Sequence, residues 1–246
     1  MHYAISRNEY SPSAKRSQRQ AASECARYCV GPASSVNLVA IALLRYAPEV
    51  TKAAIDAFWA WWPSVKEELN RRLSSRLKPS PTLAQAIREH VEAISPDLVW
   101  ELGTGTESAY QFCLSAQGDR LGRLTTQRWL ERAPERDATW EFHAARQPVP
   151  PGASLRFADK TFPLEDFVFT FEEEVSREML RLVAHHPSFP EIEDESLRAQ
   201  ITCLALDQTF GEDGVDRWIS VTDVSGDALD GGVSLQGLRD AVTSLA

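Results

Sequence analysis

Cysteine is scarce: the chain has four in 246 residues, scattered at Cys25, Cys29, Cys113 and Cys203. So thin a set makes no disulfide framework, and Cys113 and Cys203 sit inside apolar patterns where a thiol behaves as a small buried hydrophobe. Cys25 and Cys29 would share one helix face, but a structural zinc site needs four ligands and nothing nearby completes it, so no metal is expected. Long apolar runs are missing as well. The longest, Val36 to Ala47, is broken by Asn37 and Arg45 and falls short of the ~20 residues that cross a bilayer. It also lies behind about 35 mostly polar residues, too deep for the core of a secretory signal. A cytoplasmic location without membrane contact is therefore expected.

Catalytic punctuation is equally thin. There is no G-x-S-x-G elbow, no H-E-x-x-H, no phosphate-loop lysine and no Cys-His pair at a supporting spacing. Gly103-Thr104-Gly105 begins like a dinucleotide fingerprint, but Ser108 stands where the third glycine belongs and a second strand follows, so the segment reads as a hairpin turn. No cofactor is expected.

What the chain has in excess is negative charge, unevenly placed. The net charge is −9, yet residues 1–100 carry 13 Lys and Arg against 9 Asp and Glu, whereas residues 101–246 carry 13 against 26. Runs such as Glu172-Glu173-Glu174 and Glu191, Glu193, Asp194, Glu195 create a field that repels phosphate backbones and steers basic proteins inward. Nucleic acid is thus not expected as a direct partner, and a basic protein is. Solubility accounts for most acidic surfaces, and carboxylates at 191–195 would also complement the start of a helix that follows.

Hydrophobic periodicity divides the chain. Residues 1–34 are rich in Ser, Arg, Gln and Ala and lack sustained apolar spacing, which predicts a mobile basic tail. From 35 to 95 the period is helical: Ile55, Phe58, Trp59 and Trp62 form one stripe that Pro63 closes. Ser64 with Glu67, and Thr82 with Gln85, read as capping boxes ahead of Leu69 and Leu73 and of Leu83, Ile87, Val91 and Ile94. After Pro96 the period falls to two. Leu98, Trp100 and Leu102, then Tyr110, Phe112 and Leu114, predict a hairpin; a helix over 122–132 and a strand bearing Trp140 and Phe142 follow. Beyond a Pro-rich bridge at 147–152 the order recurs, with Phe167, Phe169 and Phe171, then Leu180, Leu182 and Ala184, a helix over 196–210, and a strand bearing Trp218, Ser220 and Thr222. The pattern predicts an α+β fold in which N-terminal helices pack on antiparallel sheet. Two ββαβ units, 96–148 and 163–224, would form one domain over 96–246, closed by an amphipathic helix through Leu235, Leu238 and Val242.

Four groups of residues invite a chemical reading. Glu141 and His143 lie two apart on one strand face, where a carboxylate can orient an imidazole as a general base; Glu101, Gln111 and Ser115 would project from neighbouring strands on the same side. A half-buried sheet shows the same polar alternation without any chemistry. His185 and His186 would point to opposite sheet faces, so they cannot share a metal. Residues 211–216 gather three carboxylates around two glycines without the alternate ligands of a calcium loop, and read as a solvated turn after a helix ended by Gly211. Trp61 alone falls off the helical aromatic stripe, as a tryptophan at an interface would.

The segments Ala133-Pro134 to Pro148, containing Trp140 and Arg146, and Leu206-Asp207 to Gly211-Glu212 resemble recurrent segments of uncharacterised bacterial proteins classed as domains of unknown function. The likeness spans roughly 58–224 and implies a bacterial cytosolic α+β domain with no assigned reaction. The leading functional expectation is a non-catalytic interaction protein, an immunity-type inhibitor or adaptor, that presents Glu191, Glu193 and Glu195, with Trp61, to its partner. The alternatives are a hydrolase working through Glu141 and His143, and a small-ligand module with a tryptophan-lined cavity between helices and sheet.

Overall fold

The computed structural model describes residues 51–245 apart from 151, 158, 175 and 177. The expected tail, Cys25, Cys29 and the run Val36 to Ala47 lie outside the described residues. The chain is α+β, and it divides between Ala145 and Arg146 into two compact units, each with its own apolar core. The division differs from the expected one at residue 95: the helical preface shares a core with the first ββαβ set, and the second set forms the other unit.

In the first unit, helix α1 covers residues 51–61 and passes through a 3-10 turn at Trp62–Ser64. Ile55, Phe58 and Trp62 are buried from its apolar stripe. Helix α2, Lys66–Ser74, buries Leu69 and Leu73, and helix α3, Pro81–Ile94, buries Leu83, Ile87, Val91 and Ile94. Neither expected capping box forms. Ser64 donates its hydroxyl back to the Trp61 carbonyl (2.7 Å), and α2 starts without a side-chain cap. At α3 the cap is Ser80, whose hydroxyl accepts the Leu83 amide (3.2 Å), because Pro81 with its fixed φ takes the first helical position and moves the start upstream of Thr82.

Strand β1, Val99–Thr104, pairs antiparallel with β2, Tyr110–Ser115, and β2 pairs with β3, Trp140–His143, in parallel. Helix α4, Arg120–Leu130, makes the crossover, and that connection turns the third strand parallel where an all-antiparallel sheet was expected. Leu102, Phe112 and Phe142 are register partners on the core face. Around them Phe58, Trp59, Trp62, Trp129 and Trp140 pack ring to ring, Trp59 stacking on Trp129 at 4.7 Å. The tryptophans expected to line a ligand cavity fill one another's space.

The second unit opens with a hairpin, β4 Ser154–Phe157 and β5 Lys160–Pro163. Its main sheet has the order β8-β7-β6-β9, built from β6 Val168–Glu174, β7 Met179–His185, β8 Ile219–Val224 and β9 Val233–Ser234. Strands β6 and β7 are antiparallel and β7 and β8 parallel, so the pairing of the first unit recurs. Two helices make this crossover: α5, Glu195–Phe210, and α6, Glu212–Trp218. The solvated turn expected at 211–216 is therefore helical, and Trp218 ends α6 instead of opening the strand. Gly211 breaks the two helices apart with φ +73, a conformation that favours glycine, and a Cβ there would meet Pro148 at 3.0 Å. Helix α7, Leu235–Leu245, adds Leu238 and Val242 to a core of Phe167, Phe169, Leu180, Leu182, Ile201 and Ala205. Among the described residues no helix is long and apolar enough to cross a membrane.

Candidate functional site

The chemistry of the first unit gathers on the polar face of its sheet. Period-two alternation puts Glu141 and His143 on one side of β3, and the parallel register sets them beside Gln111 and Cys113 of β2. The turn into β3 is fixed by Asp137, whose carboxylate accepts the amides of Thr139 (2.7 Å) and Trp140 (2.8 Å); these bonds hold its pKa below the ordinary value.

Glu141 is 4% exposed and fully engaged. Its Oε1 accepts the Thr106 amide at 2.6 Å, and its Oε2 accepts those of Glu107 at 2.8 Å and Ser108 at 2.9 Å. His143 adds a fourth bond, Nε2 to Oε1 at 3.1 Å. The turn after Gly105 thus makes the converging amides of an anion nest, and the anion is the chain's own carboxylate. Gly105 permits this: a Cβ there would stand 2.5 Å from the Ser108 carbonyl oxygen and 3.0 Å from the Glu141 carboxyl carbon. Burial pushes the Glu141 pKa up, but the Thr106 amide, the His143 bond and the Ser108 amide outweigh it and hold the carboxyl below its ordinary value.

This geometry makes Glu141 a poor general base. A carboxylate with lowered pKa and four donors on two oxygens has little affinity left for a proton. The amides of residues 106–108, which could have steadied an oxyanion, are already bonded to Glu141. His143, with a quarter of its side chain exposed, is oriented by the carboxylate and is the one member of the pair that faces solvent.

Sequence reasoning missed a second constellation, in the other unit. Arg146 and Glu212 exchange backbone and side-chain bonds: the Arg146 amide donates to the Glu212 carboxylate (3.2 Å) and the Glu212 amide to the Arg146 carbonyl (3.0 Å). The Arg146 guanidinium pairs with Asp207 at 2.9 Å, and the Val149 amide reaches the Gln208 carbonyl at 2.7 Å. Glu212 is 2% exposed, far from the solvated position expected of it. The signal available was Pro148, whose ring fixes φ, and Gly211, whose missing Cβ admits a left-handed turn, each lying near charged residues in the sequence.

The remaining candidates fall apart in space or into structural roles. His185 donates Nδ1 to the Ser225 carbonyl (3.2 Å); His186 is buried among Phe162, Phe167 and Phe189, where its Nδ1 accepts the Ser188 amide (3.1 Å) and burial pushes its pKa down. Trp61 is half-buried rather than standing free, stacked on His90 at 3.9 Å against the first core. Glu191, Glu193, Asp194 and Glu195 are all exposed at the start of α5. Within that group Asp194 caps the helix, accepting the Ser196 amide (2.9 Å), and Glu191 pairs with Lys160 (3.0 Å). Among the described residues no group of three or more His, Cys, Asp and Glu side chains is placed to hold a metal ion.

The chain matches no protein-family model, no curated protein and no solved structure.

Proposed function

We propose that the chain is a non-catalytic interaction module of the bacterial cytoplasm, an immunity-type inhibitor or adaptor, whose acidic second unit engages a basic protein partner. The observation that carries the reading is the segregation of charge. Residues 51–145 carry 12 Lys and Arg against 13 Asp and Glu, nearly neutral, while residues 146–246 carry 8 against 19. Glu191, Glu193 and Glu195 stand exposed where that excess is densest, and of these Glu191 has the Lys160 ammonium beside it. The clasp of Arg146 with Asp207 and Glu212 supports reading the two resembling segments as one structural unit. Trp61, packed on His90 in the other unit, leaves the reading to rest on the three glutamates.

The hydrolase alternative is weaker, because the Glu141 carboxylate holds a backbone loop and its amides are spent. The test is affinity capture by the tagged full chain beside its E191Q/E193Q/E195Q variant, which keeps the Asp194 cap intact. A partner rich in Lys and Arg, held by the wild type and lost both from the variant and in high salt, is the expected result. Identical partners on both proteins would overturn the reading.

A further inference from the structure

Helix α4 carries the two most exposed large apolar side chains among the described residues, Leu121 at 72% and Leu124 at 55%. They lie three residues apart on one face, while Thr126 and Trp129 are buried on the other. Arg120, Gln127 and Arg128 are exposed on the leucine face, and Arg120–Leu130 contains three arginines and no Asp or Glu. Asp119, which caps the Gly122 amide (2.6 Å), and Glu131 stand one at each end of the helix, so residues 119–131 keep a net charge of +1, three arginines against two acids. Arg123 is turned away, its guanidinium on the Ala144 carbonyl at 2.9 Å.

Single exposed leucines need no explanation, but a leucine pair bracketed by cations has a definite electrostatic preference. Two copies of this face do not suit each other, because antiparallel helices would bring Arg120 of one against Arg128 of the next. The face suits an acidic surface, and every solution of this protein supplies one: the second unit of another copy, with 19 acidic against 8 basic residues over 146–246. We propose that α4 docks through Leu121, Leu124, Arg120 and Arg128 onto the acidic second unit of another copy, in a heterologous head-to-tail contact. This rests on the same surface reading as the proposed function and adds its self-association. With a small apolar centre and charged flanks, the contact is weak and salt-sensitive.

The test is sedimentation equilibrium of the full chain from roughly 10 to 300 µM, the range in which a small interface dissociates, in low and in high salt. In low salt the mass of the wild type rises with concentration; in high salt it stays that of a monomer. In L121D/L124D the association constant falls about tenfold or more. That variant should fold, since both side chains are exposed and Leu121 lies in the first helical turn, where a carboxylate is favoured; an unchanged melting temperature checks it. Because the variant keeps its acidic unit, the tagged L121D/L124D protein should still retain untagged wild type while failing to retain untagged L121D/L124D. A wild type that stays monomeric in low salt, a variant that associates as the wild type does, or a tagged variant that no longer retains wild type would each overturn the proposal. If the wild type is monomeric while E191Q/E193Q/E195Q still loses a protein partner, self-association falls and the proposed function stands.

Discussion

Glu141 spends both carboxylate oxygens on the backbone of a hairpin turn, so its loss is felt in stability before anything else. In Glu141→Gln one oxygen remains as a neutral acceptor and an amide N–H₂ meets backbone N–H groups, leaving buried donors unpaired. The expected cost is about 2–4 kcal/mol. Urea unfolding followed by tryptophan fluorescence reads it well, because six of the seven tryptophans lie within residues 51–145. The pH dependence has a definite sign. The folded pKa lies below the ordinary 4.5, so between the two values the unfolded chain binds more protons. Stability from this group is complete above 4.5 and is lost as the pH falls through the folded value; the Gln variant lacks that slope. His186 acts in a higher window. Burial lowers its pKa from 6.5 against the pull of the Asp166 carboxylate, so as the pH falls below 6.5 the unfolded chain protonates first and the second unit weakens until the folded pKa is reached. His186→Phe, placed among Phe162, Phe167 and Phe189, should flatten the thermal midpoint between pH 7.5 and the acid side of roughly 6, where wild type declines.

At the scale of elements, the start of helix α5 separates a structural carboxylate from the proposed partner-binding ones within one acidic run. Asp194 accepts the first free amides of the helix, and those of its own bonds that lower its pKa also set its role. Asp194→Ala should cost about 1 kcal/mol of stability in chemical denaturation, whereas Glu193→Gln should fall within about 0.5 kcal/mol of wild type. A large effect at Glu193 would mean that the run is structural throughout. The contrast also shows what was readable in the chain. Apolar spacing located α3, the β1–β2 hairpin and α5 because burial imposes its period on side chains. The capping residue of α3 was misplaced by two positions, since Ser80 and Thr82 both satisfy the chemistry and only Pro81 decides between them. The parallel pairing of β3 and β8 was invisible because a strand's alternation is the same in either direction. Glu141 and His143 could be put on one face by counting, but the three amides that capture Glu141 carry no side-chain signature. Helix α6 escaped because two glycines and three acids look like a turn unless the Arg146 partner, far off in sequence, is known.

For the whole molecule, the division of charge governs encounter more than grip. The net −11 of residues 146–246, 8 basic against 19 acidic, acts over about a Debye length, ~10 Å at moderate salt, so under the proposed function it would raise the rate at which a basic partner arrives in a productive orientation. In such a complex, exposed carboxylates such as Glu193 and Glu195 would keep most of their hydration and contribute little to the bound state, which a buried anchor would not. Association kinetics with the partner that the wild-type chain captures should therefore show an association rate falling about tenfold or more as salt is raised from low to high, with a dissociation rate that changes little. E191Q/E193Q/E195Q should lower the low-salt association rate about tenfold or more, to near the high-salt rate of the wild type, which is the loss that empties the capture, and converge on wild type once salt has screened the difference. If the triple variant instead accelerates dissociation at all salt concentrations, the glutamates are desolvated in the complex, and the acidic face is a tight contact surface rather than a steering field.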